Sequence, residues 1–300
     1  MQRLRWSFLF CFVFCQGFGL TVLRANEVFS EKKKQRDSPR NAMYLFSGPQ
    51  LDIHKARDFG VSPLMYQGTS PGFFGGIQAH SDQTYGRFMV GYAYGYIEPN
   101  IDLGVLYRTQ NHSLVYDMSY LKRVAYMEKL KTRLYLGGSV IGTYHARINP
   151  ELNNAAFHYD FITGLGPGIR FERDFSWKKV VKKIWFINLK TRERHITTAF
   201  QMNLPIAFLY MRPEYAVIRD FTNGTTGFSG QNSLTFGSLG SVYRLNTSFD
   251  LQYFLRNGNA LRFSYIWDAG SLNSGFNDLQ TSHHLLQFSL MFKFNKTDIR

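Results

Sequence analysis

Residues 261–268 read Leu-Arg-Phe-Ser-Tyr-Ile-Trp-Asp, and residues 286–294 read Leu-Gln-Phe-Ser-Leu-Met-Phe-Lys-Phe. In both stretches, large apolar side chains alternate with mostly polar ones. A period of two puts the two sets on opposite faces of a β-strand. The sequence therefore predicts two amphipathic strands here, and the Asn257-Gly258 pair ahead of them predicts a tight hairpin turn.

The same alternation recurs upstream and gives ten candidate strands in all. The other eight lie near 43–47, 73–80, 87–97, 113–122, 134–144, 157–171, 200–210 and 243–255. Pro205, inside one of them, removes a hydrogen bond from the ladder and predicts a bulge. Because soluble antiparallel sheets also alternate, other features must decide which face points outward.

The N-terminus has the features of a secretory signal peptide. Arg3 and Arg5 precede an apolar stretch that runs to Leu23, with Ala25 at the predicted cleavage site. We therefore expect a signal peptide over 1–25 and a flexible, basic periplasmic lead-in over 26–41. An uncleaved anchor helix is the alternative, but a glutamine and two glycines dilute the apolar stretch.

Charge and cysteine content are consistent with export to a bacterial envelope. Both cysteines, Cys11 and Cys15, lie inside the signal segment, so the exported chain would contain no disulfide. The formal charge of +14 would suggest nucleic acid as a partner, but an exported protein rarely meets it. Attraction to outer-membrane lipid headgroups and lipopolysaccharide phosphates explains the basic clusters as well.

Composition favours a barrel that crosses a membrane with strands. Aromatic residues make up 17% of the chain, yet mean hydropathy is slightly negative and no apolar run after the signal could form a spanning helix. A membrane barrel reconciles these facts, because only alternate residues face lipid. We predict an all-β fold, a transmembrane antiparallel β-barrel of about ten strands over 42–295, in the outer membrane of a Gram-negative bacterium.

Loop lengths predict the orientation, since outer-membrane barrels have short periplasmic turns and longer outer loops. With a periplasmic N-terminus, the short links at 81–84, 128–131 and 257–259 all fall inside. The predicted outer loops are 48–72, 98–112, 211–242 and 269–281. Ile101, Leu103, Val105 and Tyr107 also alternate, so a count of twelve strands is an alternative.

One segment breaks this rule, because 175–193 would be a long, basic periplasmic insertion. It carries apolar side chains among Lys178, Lys179, Lys182 and Lys183. An interfacial amphipathic piece and a charged hairpin that extends two strands beyond the bilayer both fit this pattern.

The final strand, ending at Phe294, is similar to the C-terminal signal that the barrel-assembly machinery recognises. Several short motifs also resemble uncharacterised outer-membrane barrels of the Bacteroidota. They are Ser62-Pro63-Leu64-Met65-Tyr66-Gln67-Gly68, Gly137-Gly138, Asn153-Asn154, Arg212-Pro213 and Tyr265-Ile266-Trp267-Asp268. The resemblance implies fold and location, carries no known activity, and transfers no catalytic residue.

The inward-facing stripe carries charges of both signs. Barrels of this size have a narrow lumen that side chains usually fill. We expect an ion-pair network in it, in a protein with a structural or surface-interaction role. Its predicted members are Arg87, Asp117, Arg170, Glu172, Arg244, Asp250 and Arg262, and Arg133, Lys293, Asp160 and Asp268 share that face.

Two alternative functions stay open: a barrel-wall hydrolase that acts on lipid or peptide at the outer rim, and a narrow pore for small solutes. For the hydrolase, one hairpin should bring His145 near His158 and Asp160, and the last outer loop should bring Asp268 near His283. A carboxylate that orients an imidazole is central to nucleophilic hydrolysis. Neither set has a serine at a motif-like spacing, although Ser264 lies below the second.

No cofactor or metal site is predicted from spacing. His283 and His284 are adjacent in a strand, so their rings point to opposite faces, and no other pair has helical spacing. Gly164, Gly166 and Gly168 alternate on one strand face, which predicts room for bulky neighbours and not a nucleotide-binding loop. The protein partner, if there is one, is not indicated.

Overall fold

The computed structural model describes residues 42–60, 62–101, 108–149, 157–177, 180–184, 187–191, 194–212, 234–273, 275 and 278–294. The predicted signal peptide (1–25) and lead-in (26–41) lie outside the described residues, as do positions 213–233 of the longest predicted outer loop. Among the described residues, no helix is both long and apolar enough to cross a membrane.

The described part of the chain is almost entirely strand. The strands are β1 (Ala42–Asp58), β2 (Ser62–His80), β3 (Thr84–Pro99), β4 (Thr109–Met127), β5 (Thr132–Ile148), β6 (Phe157–Trp177), β7 (Val180–Ile184), β8 (Ile187–Thr191), β9 (Arg194–Asn203), β10 (Ala207–Met211), β11 (Thr235–Ser238), β12 (Val242–Phe254), β13 (Ala260–Leu272) and β14 (Leu279–Phe294). A single 3₁₀ turn, Glu128–Leu130, joins β4 to β5.

The strands form a closed, antiparallel barrel of ten strands in the described residues. Sequence neighbours from β1 to β6 pair with each other, and β14 pairs back onto β1. Both β9 and β10 pair with β6, so together they make one barrel strand. In the same way β11 and β12, which pair with β10 and β9, make the next. The predicted fold and the count of ten are confirmed.

The two faces of the barrel wall differ sharply in chemistry. On β13, Phe263 is 43% exposed on the outside, whereas its neighbour Arg262 is 1% exposed and faces the lumen. The same holds on β14, where Phe288 and Phe292 are exposed and Gln287 is buried. Burying arginine and exposing phenylalanine reverses the pattern of a soluble sheet, and it is the pattern of a barrel whose exterior solvent is hydrocarbon.

Exposed tyrosines flank this apolar exterior, as in membrane barrels whose aromatic residues mark both interfaces. Tyr94 and Tyr96 lie near one end of β3, and Tyr120 and Tyr126 lie near the opposite end of β4. Strands β1–β6 and β12–β14 are longer than the roughly nine to eleven residues that a tilted strand needs to cross a bilayer. The barrel wall is therefore taller than a bilayer crossing requires.

The short links 81–83, 128–131 and 255–259 gather at one end of the barrel, here called the turn end. The opposite end, here called the loop end, carries the connections after β1, β3, β5, β10 and β13. Three of the predicted outer loops fall at the loop end. They are shorter than predicted, because the strands before them continue to Pro99, Met211 and Leu272.

The prediction of an outer loop over 48–72 is wrong. Positions 48–58 and 62–72 belong to β1 and β2, which pair along their whole length, so only three positions lie between the two strands. The glycines and prolines of this segment argued against strand. The glycines fit because neighbouring strands approach closely there. A Cβ built on Gly72 of β2 would lie 2.0 Å from the carbonyl oxygen of Tyr92 of β3.

A bulge interrupts the barrel strand formed by β9 and β10. Between the pairs Asn203–Gly168 and Ala207–Leu165, three residues of this strand oppose two of β6, with Pro205 in the middle. This is the predicted bulge. Gly164 and Gly166 face it, and a Cβ on either would contact Pro205 within 2.6 Å, so the glycines make room for a bulky neighbour.

Within the predicted insertion 175–193, the backbone forms a hairpin. Strand β7 pairs with β8 in a small two-stranded sheet, and the pair Trp177–Arg194 ends the β6–β9 ladder just before it. The position of this hairpin relative to a bilayer stays a prediction.

Candidate functional site

Ion pairs fill the lumen from the turn end to its middle. Near the turn end, Glu172 accepts from Arg133 at 3.3 Å and lies 3.2 Å from His80. In the middle, Arg87 pairs with Asp117, and Arg170 donates to Asp250 at 3.0 Å. All of these side chains are buried.

Arg262 was predicted to form an ion pair, but within the described residues it pairs with no carboxylate, and its guanidinium contacts only polar and aromatic groups. It donates to the Gln78 side-chain oxygen at 3.1 Å and lies 4.0 Å from the centre of the Phe46 ring. An arginine on a buried aromatic face gains a cation–π attraction, which compensates part of its lost hydration.

A second polar cluster lies inside the lumen toward the loop end. It includes buried His54, whose neighbour Lys55 is exposed on the outer face. His145 Nδ1 lies 2.8 Å from Asp160, and Arg147 contacts the other oxygen of Asp160 at 2.9 Å. The predicted pair of His145 and Asp160 is therefore brought together across the β5–β6 hairpin, where the two residues are direct partners.

Asp58, the last residue of β1, is the other carboxylate of this cluster. It pairs with Arg212, lies 3.1 Å from Arg147, and lies 3.0 Å from His158 Nε2. Sequence analysis had placed His158 with Asp160. Asp58 holds it instead, since the true extent of β1 brings this carboxylate into the lumen.

Three imidazoles stack beside these carboxylates. The His283 ring lies 4.9 Å from His145 and 5.0 Å from His54, with interplanar angles of 5° and 17°. Asp52 holds Nδ1 of His283, with both carboxylate oxygens at 3.1 Å. Asp52 and His54 are on β1, so the predicted loop 48–72 concealed both from sequence analysis. The signal was the alternation of Asp52, His54, Ala56 and Asp58.

The predicted pairing of Asp268 with His283 does not form as a hydrogen bond. The two residues are direct partners between β13 and β14, but Asp268 accepts from Arg244 at 2.9 and 2.7 Å and from Asn246 at 3.1 Å. Ser264 donates to Asp250 at 2.7 Å, away from the histidines. A small pocket lies beside these residues, lined in part by Thr143, Tyr243, Asp268, Thr281 and His283.

Carboxylates therefore orient three imidazoles, and each imidazole has one ring nitrogen that makes no hydrogen bond in the described part of the chain. Nε2 of His145 and of His283 and Nδ1 of His158 are buried without a hydrogen-bond partner among the described residues. Such nitrogens can take a proton from water or bind a metal ion. No serine hydroxyl is hydrogen-bonded to these imidazoles in the described residues, so a serine-dependent triad is not formed there.

No family model and no curated protein matches this chain. Among solved structures it is similar to the outer membrane protease OmpT from Escherichia coli, with 9% identity over 84% of this chain and 96% of that one (TM-score 0.49). It is also similar to the transport unit of the autotransporter AIDA-I from Escherichia coli, with 8% identity over 93% and 97% (TM-score 0.45). A third similar structure is the translocator domain of the autotransporter NalP from Neisseria meningitidis, with 10% identity over 94% of this chain and 97% of that one (TM-score 0.37). At these identities the likeness says nothing about activity.

Proposed function

We propose that the protein is an outer-membrane barrel with a sealed lumen, which has a structural or surface-interaction role and does not conduct solutes. The observation that carries this proposal is the set of side-chain contacts that cross the lumen between strands that are not neighbours. They occur at three levels, so a solute would have to break charged contacts at each one.

Near the turn end, His80 of β2 contacts Glu172 of β6 at 3.2 Å. Two residues farther into the lumen along β2, Gln78 accepts from Arg262 of β13 at 3.1 Å. Near the loop end, Arg147 of β5 reaches Asp58 of β1 at 3.1 Å. Separating a buried charged group from its partner is costly, so these contacts oppose opening of the lumen.

Planar bilayers test the seal. We expect the purified full chain to give no discrete openings. A variant that combines His80→Ser, Arg262→Ser and Arg147→Ser removes the contact at each of the three levels and should let small ions pass. The matched control is Glu98→Ser with Arg108→Ser, an exposed pair 2.7 Å apart, which should stay silent. Discrete openings of the unmodified chain would overturn the proposal in favour of a narrow pore.

The proposed location follows from the apolar exterior, which needs a lipid solvent, and from closure of the barrel, which leaves no unpaired edge. Outer-membrane lipid and lipopolysaccharide are the proposed neighbours of this surface, and the barrel-assembly machinery is the proposed partner during insertion. Cell fractionation with an outer-membrane marker tests the location, and recovery in the soluble fraction would contradict it.

A rim hydrolase is the second candidate, and one observation favours it. His145 is oriented by Asp160 at 2.8 Å and keeps Nε2 unpartnered, as a general base would before substrate binds. If lipid or peptide hydrolysis is found and is lost in His145→Ala and Asp160→Asn while the barrel still folds, the purely structural role is wrong. Alanine at His158, Asp268 and His283 completes the test of the predicted catalytic set.

A further inference from the structure

His54 is buried in the lumen with no hydrogen bond to either ring nitrogen in the described residues. The residue is 1% exposed, and both Nδ1 and Nε2 are without a partner. Buried polar groups in native structures nearly always have a hydrogen-bond partner, because burying one without a partner costs free energy. A buried imidazole with neither nitrogen hydrogen-bonded therefore has two positions open to a ligand.

The residues around His54 are metal-binding types. His54 and His283 are direct partners between β1 and β14, and Asp52 lies two residues before His54 on the same inward face. One donor atom from each of the three lies within 4.8 Å of the others. Asp52 and His283 Nδ1 are already 3.1 Å apart, close to the spacing of about 3.3 Å that bonds of 2.0–2.1 Å give in a tetrahedral zinc site.

His145 lies beside this group, outside the three residues whose donor atoms are within 4.8 Å of one another. Its ring stacks on His283 at 4.9 Å, and its Nε2 is buried without a partner. Its other nitrogen, Nδ1, is held by Asp160 at 2.8 Å. A carboxylate that holds the second nitrogen of an imidazole is the usual support of a metal-binding histidine, because it fixes the tautomer and the ring orientation.

The charge balance at the site also favours a cation. Arg147 is paired with Asp58 and Asp160, and Arg244 is paired with Asp268, so the nearby guanidinium groups are neutralised. Within the described residues, Asp52 makes no ion pair with arginine or lysine; its partner is His283. A carboxylate that is not paired with arginine or lysine can bind a divalent ion without first giving up an ion pair to a fixed cation.

We propose that Asp52, His54 and His283 bind one divalent transition-metal ion near the loop end of the lumen, with His145 as the adjoining fourth donor. Nitrogen-rich sets with one carboxylate suit Zn²⁺ and its neighbours and not Mg²⁺ or Ca²⁺, which prefer oxygen. The site is independent of whether the lumen conducts, so its failure and that of the proposed seal are separable.

Zinc titration of the untagged, full-length, chelator-treated protein tests the site by calorimetry and by metal analysis after gel filtration. We expect one equivalent of Zn²⁺ per chain. His54→Ala and His283→Ala should weaken binding by more than a hundredfold, and Asp160→Asn by roughly ten- to a hundredfold, as for second-shell partners. His284→Ala is the matched control, since it is adjacent to His283 but faces outward, and it should bind as the unmodified chain does.

Heat-modifiable migration on gels checks that each variant folds. Should His54→Ala fail to fold, His54→Phe keeps the ring stack and removes both nitrogens, and it should also lose binding. Co²⁺ provides a second readout, because nitrogen ligation in a tetrahedral site gives an intense visible band that His54→Phe should lack. Absence of stoichiometric binding, or binding by the folded His54 variants equal to that of His284→Ala, would overturn the proposal.

Discussion

Asp58 shows how single residues hold the lumen together. Its carboxylate contacts Arg147, His158 and Arg212, which come from three different parts of the chain. Sequence alternation predicts that such side chains face the lumen, but it does not predict their partners. Asp268 illustrates the difference, since it lies opposite His283 and yet accepts from Arg244, whose longer side chain reaches it.

Replacing Asp58 with asparagine should be strongly destabilising. It leaves two buried guanidinium groups with less compensation, and breaking a buried pair of this kind costs about 3–5 kcal/mol. Chemical denaturation in detergent micelles, followed by tryptophan fluorescence, measures the change. Glu98→Gln breaks the exposed pair with Arg108 and should cost less than about 1 kcal/mol. Equal effects of the two variants would contradict the assigned role of Asp58.

His54→Phe should raise the free energy of unfolding of the metal-free protein. The phenyl ring can occupy the stacked position beside His283, and it removes two unsatisfied polar atoms, each worth about 1–3 kcal/mol when left unpaired. The same denaturation assay in the presence of a chelator measures the gain. A loss of stability comparable to that of Asp58→Asn would show that the nitrogens are satisfied by a group absent from the described contacts.

At the scale of elements, close approach between strands explains both the success and the failure of sequence reasoning. Pro205 breaks the ladder where Gly164 and Gly166 leave space, so the bulge could be predicted from the sequence. Segment 48–72 has the same kinds of residue, yet it is strand, because its glycines lie where the neighbouring backbone passes within contact. Composition alone cannot separate a glycine that ends a strand from one that lets two strands meet. The predicted strands 43–47 and 73–80 are parts of β1 and β2 that stop short of 48–72, so Asp52, His54 and Asp58 were assigned to a loop.

Gly166→Val tests the bulge. A Cβ at this position would lie 2.2 Å from the carbonyl oxygen of Leu204, so the strand must shift, at a cost of about 1–3 kcal/mol or more. We expect a lower denaturation midpoint and slower folding into detergent micelles. Gly240→Ala is the control, because nothing lies within 4 Å of a Cβ there, and it should leave both unchanged.

At the scale of the whole molecule, the barrel reverses the soluble arrangement of apolar and charged groups. Leu290 and Phe292 of β14 are exposed, whereas Gln287 and Ser289 on the same strand are buried in the lumen. The sequence predicted this reversal from two features together. A strand period of two assigns every side chain to one of two faces, and the aromatic content with low mean hydropathy indicates which face meets lipid. Contacts across the lumen, such as Arg262 to Gln78, join residues far apart in the chain and needed the closed structure.

Spin labelling along β14 tests the central claim of an apolar exterior and an enclosed polar stripe. With Cys11 and Cys15 replaced by serine, single cysteines at 286–292 are labelled in proteoliposomes, and collision rates with oxygen and with a water-soluble nickel complex are measured. Labels at the even positions, including 288 and 290, should collide with oxygen and avoid nickel, and labels at the odd positions should be shielded from oxygen. Nickel access at 288 and 290, together with lipid access at 287 and 289, would contradict the account.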